Sequence, residues 1–115
     1  HYAYRMDHIY NRHRFWNKAP ALSQLPSEYF FDNVYMTFQD DWTALHMIDQ
    51  LNVERLLWAN DFPHSDSTWP LSKELVNEHM AHLGAALCRR ILRENCVELF
   101  GMNVPEQVAD IALAS

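Results

Sequence analysis

The chain has 115 residues, the size of one ordinary domain, and its 49% hydrophobic and 21% charged content is that of a globular protein rather than a disordered tail. A net charge of −6 with only nine Lys and Arg leaves no basic footprint for nucleic acid. No apolar run approaches the roughly 18 residues a membrane span requires. Cys88 and Cys96, without a C-x-x-C pair or a secretory segment, read as reduced thiols of a cytoplasmic protein.

From Tyr2 to Trp16, residues Tyr2, Met6, Ile9, Tyr10 and His13 recur at helical spacing, with Arg5, Asp7, Asn11, Arg12 and Arg14 opposite. Residues 17–28 contain Pro20 and Pro26 and predict a surface connection, with Pro26-Ser27-Glu28 opening at most one short turn. Asn33 to Phe38 is rich in β-branched and aromatic residues and predicts a buried strand. Gln39, Asp40 and Asp41 then stand at the start of a helix whose stripe is Trp42, Leu45, Ile48 and Leu51, closed by Asn52 in the left-handed conformation. Leu56 to Ala59 predicts a second strand, so Asn33–Ala59 forms a parallel βαβ unit.

A further amphipathic helix carries Leu75, Val76, Met80 and Leu83 and stops at Gly84. Another runs from Ala85 to Arg93, and Asn95 with Glu98 reads as a capping box for a last turn that Gly101 closes. The tail from Met102 to Ser115 is weakly patterned. The fold class is α/β. A two-stranded sheet alone would expose its edges, so partner strands are a physical need.

The chemistry concentrates between Arg55 and Pro70. A short apolar strand breaks there into Asn60, Asp61, Phe62, Pro63 and His64, then stays polar through Ser65, Asp66, Ser67 and Thr68. Parallel α/β enzymes display reactive groups at the C-terminal ends of buried strands. Asp61 is therefore the candidate metal ligand or general base, or a loop Asp that caps the following turn. His64 could line the same mouth or be an ordinary loop histidine. Asp66 to Trp69 could wall a pocket, or Thr68 or Ser72 could cap the next helix. Phe38 and Gln39, ending the preceding strand, are lesser pocket candidates. His79 and His82 stand at i, i+3 on a helix without an acidic or cysteine partner at ligand spacing, which argues against chelation by that pair. Glycine is missing from both strand exits, which removes the dinucleotide and phosphate loops, and no nucleophile elbow is present.

Several motifs together resemble the amidohydrolase superfamily in its amidohydrolase-2 branch, which includes aminocarboxymuconate-semialdehyde decarboxylase-like enzymes. They are Arg5, Asp7, His8 with Arg12, His13, Arg14; Pro26 to Phe30 followed by Asn33-Val34-Tyr35; Leu57 to His64 with Asp66 to Pro70; and Asn95 to Gly101. The resemblance implies that residues 1–101 are the C-terminal segment, about the last two strands and their helices, of a TIM (β/α)₈ barrel, with 102–115 as a tail. A full barrel takes about 250 residues, and the opening on His1 likewise fits a fragment. It implies a divalent metal, zinc foremost and manganese as the other choice, with Asp61 as ligand and proton acceptor and His64, Trp69 and Phe38 toward the substrate.

The implied reaction is hydrolysis of an amide, ester or lactone-like bond of a small molecule by metal-activated water. The alternative is decarboxylation of an aromatic or muconate-like acid, and the further alternative a non-enzymatic α/β interaction module. A homodimer also follows from the resemblance, while the charge and the lack of a long apolar run leave no nucleic-acid or membrane partner expected. Asn60 and Asn52 replace the family's usual Ser and a common Gly. The family's His-x-His and mid-barrel histidines have no counterpart here, so the 115-residue chain alone is expected to be inactive.

Overall fold

The computed structural model describes residues 1–18 and 20–104. The weakly patterned tail predicted beyond Met102 lies, from 105 onward, outside the described residues. The chain divides into two compact units, His1–Val34 and Tyr35–Ser115, a boundary that composition did not signal.

In the first unit, helix α1 (Tyr2–His13) packs against α2 (Pro26–Asn33). The short turn predicted at Pro26-Ser27-Glu28 is thus the start of a full helix that runs on through Asn33, the first residue of the predicted strand, and the reason is a set of capping contacts. Pro26 occupies the first turn of α2, where its missing N–H is not needed. Glu28 Oε2 accepts from the Leu25 N–H at 2.6 Å. Asp7 of α1 accepts from both the Ser27 N–H at 2.8 Å and the Ser27 hydroxyl at 2.6 Å. A carboxylate on the unsatisfied N–H groups of a helix start is favourable for charge and for hydrogen bonding alike. These contacts turn Tyr29-Phe30-Phe31 helical against its β-propensity.

In the second unit, β1 (Met36–Phe38) pairs in parallel with β2 (Leu56–Trp58), with Met36 opposite Leu56, Thr37 opposite Leu57 and Phe38 opposite Trp58. The strand predicted from Asn33 therefore begins at Met36, because Asn33 closes α2. The crossover helix is also shorter than its stripe suggested. It comprises α3 (Trp42–His46), a 3₁₀ turn over Ile48–Gln50 and a second over Val53–Arg55. Asn52 does not adopt the left-handed conformation. It is extended at φ −84°, and its side-chain oxygen accepts from the Glu54 N–H at 3.1 Å, starting the second turn.

Helix α4 (Ser72–Met80) is followed by a 3₁₀ turn over Ala81–Leu83 and by Gly84. The chain then stays helical over 85–100, as α5 (Ala85–Arg89), a π-helical turn over Arg90–Glu94 and α6 (Asn95–Phe100). Gly101 ends it at φ 59°, with its N–H on the Glu98 carbonyl at 3.3 Å and the Met102 N–H on the Val97 carbonyl at 2.9 Å. This is a Schellman closure, in which a left-handed residue lets the last carbonyls find donors.

Leu45, Leu56, Val76, Met80, Cys88 and Ile91 form the buried cluster, with Met36, Phe38 and Trp58 packed against it. Because strand side chains alternate, the even positions of both strands face these helices and Thr37, Leu57 and Ala59 face the other way. Cys88 donates its thiol to the Met80 carbonyl at 3.2 Å, and burial pushes its pKa up, as suits an unreactive core thiol.

The expected capping box at Asn95 is replaced by a different device. Asn95 lies inside the continuous helix, 1% exposed, and its amide donates to the carbonyls of Val53 at 2.6 Å and Leu56 at 2.7 Å. It clamps the start of β2 to the π-turn helix. Asn95→Ala leaves both carbonyls without this donor and should lower stability by about 2–3 kcal/mol, read as an earlier midpoint in urea. Asn95→Asp, which presents only acceptors when ionised, should be at least as damaging.

Glu98 pairs instead with Arg90, accepting at 2.5 and 2.9 Å, while Arg90 also reaches Glu54. The hydrogen bond from Arg90 holds the Glu98 carboxyl below its usual value. A depressed carboxyl stabilises the folded state above its unfolded pKa and loses that contribution as pH falls through the folded value. The stability difference between the native protein and Glu98→Gln should therefore be present at pH 7 and shrink below about pH 4.

Candidate active site

β2 delivers the site. Its last residues are fixed against β1 by the Ala59 N–H on the Phe38 carbonyl at 3.0 Å and by the Trp58 indole N–H on the Gln39 carbonyl at 2.7 Å. The chain then turns sharply. Asn60 Oδ1 accepts from the Phe62 N–H at 3.2 Å, which leaves Asp61 between them at φ 58°. A left-handed residue is unusual outside glycine and is tolerated best by Asn and Asp.

The rest of the loop folds back on the same residue. The Asn60 carbonyl accepts from the Ser67 hydroxyl at 2.7 Å and the Thr68 N–H at 3.1 Å. Thr68 is 8% exposed and bonds Ser72 Oγ at 2.9 Å, so it braces the loop on α4. The Gln39 side-chain amide donates to the Asp66 carbonyl, tying the exit of β1 to the loop after β2.

An open cleft of about 290 Å³ lies at these exits, lined by Thr37, Phe38, Gln39, Asp41, Ala59 and Asp61. Asp61 thus lines the cleft together with Thr37 and Ala59, which face away from the core. Its side chain is 53% exposed, and Oδ2 lies 3.4 Å from His64 Nδ1. His64 is 76% exposed and stands beside Asp61 without lining the cleft. Trp69 is directed elsewhere, its ring meeting Phe62 edge to face at 5.4 Å. Phe38 contributes both to the cleft and to the core. Thr37, Ala59 and Asp41 were not singled out in the sequence. Asp41 was read only as a helix-start acid, although it too follows the end of a parallel strand.

A parallel sheet with helices on one face and carboxylates at neighbouring strand exits is the display used by α/β hydrolytic enzymes and their relatives. The family model described as Amidohydrolase (Amidohydro_2) matches residues 2–102, and the chain belongs to that family. No match was found among curated proteins. The family is built on the TIM barrel, is generally enzymatic and typically depends on a divalent metal. The parallel pair found here is consistent with part of such a barrel. No helix among the described residues is long and apolar enough to cross a membrane.

Among the described residues, no group of three or more His, Cys, Asp or Glu side chains is placed to hold an ion, whereas a catalytic zinc takes three protein ligands. The described residues alone do not fit a complete centre.

The positive φ at Asp61 yields a direct check. Asp61→Gly should raise stability by about 0.5–1 kcal/mol, Asp61→Asn should be near neutral, and Asp61→Ala should cost more than either, as read from thermal or urea unfolding.

Proposed function

We propose that this chain supplies the last two strands of a (β/α)₈ metal-dependent hydrolase, with residues 102–115 as its tail. It acts on an amide, ester or lactone-like bond of a small molecule. The supporting observation is Asp61, a carboxylate held at a left-handed turn where a parallel strand exits, in the lining of the cleft and within the family match. In this reading one Asp61 oxygen is a ligand to a divalent ion, zinc or manganese, whose other donors come from strands outside this chain. The second oxygen holds or takes a proton in the reaction. His64, 3.4 Å away, orients that oxygen, while Phe38 forms a wall against the substrate. A homodimer in the cytoplasm belongs to the same reading.

Decarboxylation of an aromatic or unsaturated acid is the second reading. It draws on the exposed aromatic pair Phe62 and Trp69, of which Phe62 directly follows Asp61. The two reactions separate by product. The metal-loaded enzyme containing these residues should turn over esters or lactones without releasing CO₂. Release of CO₂ from aromatic acids in place of hydrolysis selects the second reading. In either case Asp61→Asn should lower kcat/KM by about 10²-fold or more while unfolding at the same denaturant concentration. Full activity in that variant would remove Asp61 from the chemistry.

A further inference from the structure

Away from the cleft, two histidines that are 36 positions apart in sequence meet on the surface. His46 ends α3 and His82 lies in the 3₁₀ turn after α4, and their imidazole rings stand 4.9 Å apart, inclined by 11°. Both residues are exposed. His82 Nε2 is 3.4 Å from the Leu45 carbonyl oxygen, a long contact that is readily given up. The Trp42 ring meets His46 edge-on at 5.6 Å and limits its swing on that side.

We propose that His46 and His82 form a two-imidazole surface site for a late first-row transition ion, copper(II) above all. Neutral imidazole is a preferred ligand of such ions, and copper(II) heads the divalent affinity order. With metal–nitrogen bonds of about 2.0 Å, two imidazoles at right angles or somewhat wider on one ion have centroids roughly 4.5–5 Å apart. The pair stands at a comparable distance but face to face, so the match is one of reach and not of a preformed chelate. The near-parallel planes require each exposed ring to turn about its own side-chain bonds until a nitrogen points at the shared ion, a motion that is fast at a surface. Among the described residues no third His, Cys, Asp or Glu joins them, so water fills the remaining positions and the site is of moderate affinity. The ligation would bridge α3 to the turn after α4, two elements already packed through Leu45 and Met80.

The site is separate from Asp61 and His64, and the test keeps the two apart. Copper(II) is titrated into the protein and into His46→Ala, His82→Ala and Asp61→Asn, with affinity from calorimetry and ligand count from electron paramagnetic resonance. The native protein and Asp61→Asn are expected to bind one equivalent with a two-nitrogen signature. Each histidine variant is expected to lose at least tenfold in affinity together with one nitrogen. Both histidine positions are exposed, and unchanged circular dichroism will show that the variants fold. Affinities within twofold of native in both histidine variants, or a loss confined to Asp61→Asn, would overturn the proposal.

Discussion

The parallel pairing of β1 with β2 governs everything downstream of it. Three residues on each side are a short ladder, and a two-stranded sheet of this kind is not independently stable. Its rigidity comes from behind and from below. Leu56 and Trp58 are seated on the helical core, while the Asn95 amide holds the carbonyls of Val53 and Leu56. With its start clamped, β2 can end at one defined place. The indole N–H of Trp58 on the Gln39 carbonyl then sets the two exits side by side. A shift by one residue in this register would turn Leu56 and Trp58 out of the core and Leu57 into it.

Much of this was legible in the sequence because it is local. The apolar run Leu56-Leu57-Trp58 marks a buried strand and its abrupt polar exit the loop that borders the cleft, and Gly101 announces a helix end in one residue. What escaped was set by contacts between segments. Residues 26–28 read as at most a short turn and Asn33 as the start of a strand, since nothing nearby reveals that Asp7, 20 positions upstream, caps Ser27. Asn95 followed by Glu98 has the spacing of a capping box, yet the chain stays helical through both. The amide is drawn to strand carbonyls some 40 positions earlier and the carboxylate to Arg90. Asp41 was passed over because an acid after a strand suits a helix start as well as a cleft. The approach of His46 to His82 has no sequence signature at all.

The loop after β2 shows how an unfavourable backbone is kept. Asp61 sits at positive φ, a conformation that its own side chain does not favour. The turn is held because Asn60 is used three times, its side chain accepting from Phe62 and its carbonyl from Ser67 and Thr68. Thr68 is buried against α4 through Ser72, and Gln39 secures Asp66. The loop is thus anchored to both strands and to a helix, while its tip stays exposed. Such over-determination of a sparsely populated conformation is found where geometry serves something besides stability.

The electrostatics of the cleft lead to the same place by another route. Asp41 and Asp61 both line it, from the exits of neighbouring strands. Here water reaches both carboxylates, and their repulsion is screened. Strands added along the sheet edges, as a complete barrel would supply, would narrow the mouth and displace that water. Two carboxylates sharing a partly dry cavity are unfavourable without a positive charge between or beside them. Under the proposed function, the acids that solvent accommodates in this two-stranded unit would call for a cation once enclosed, which is the role proposed for the ion at Asp61.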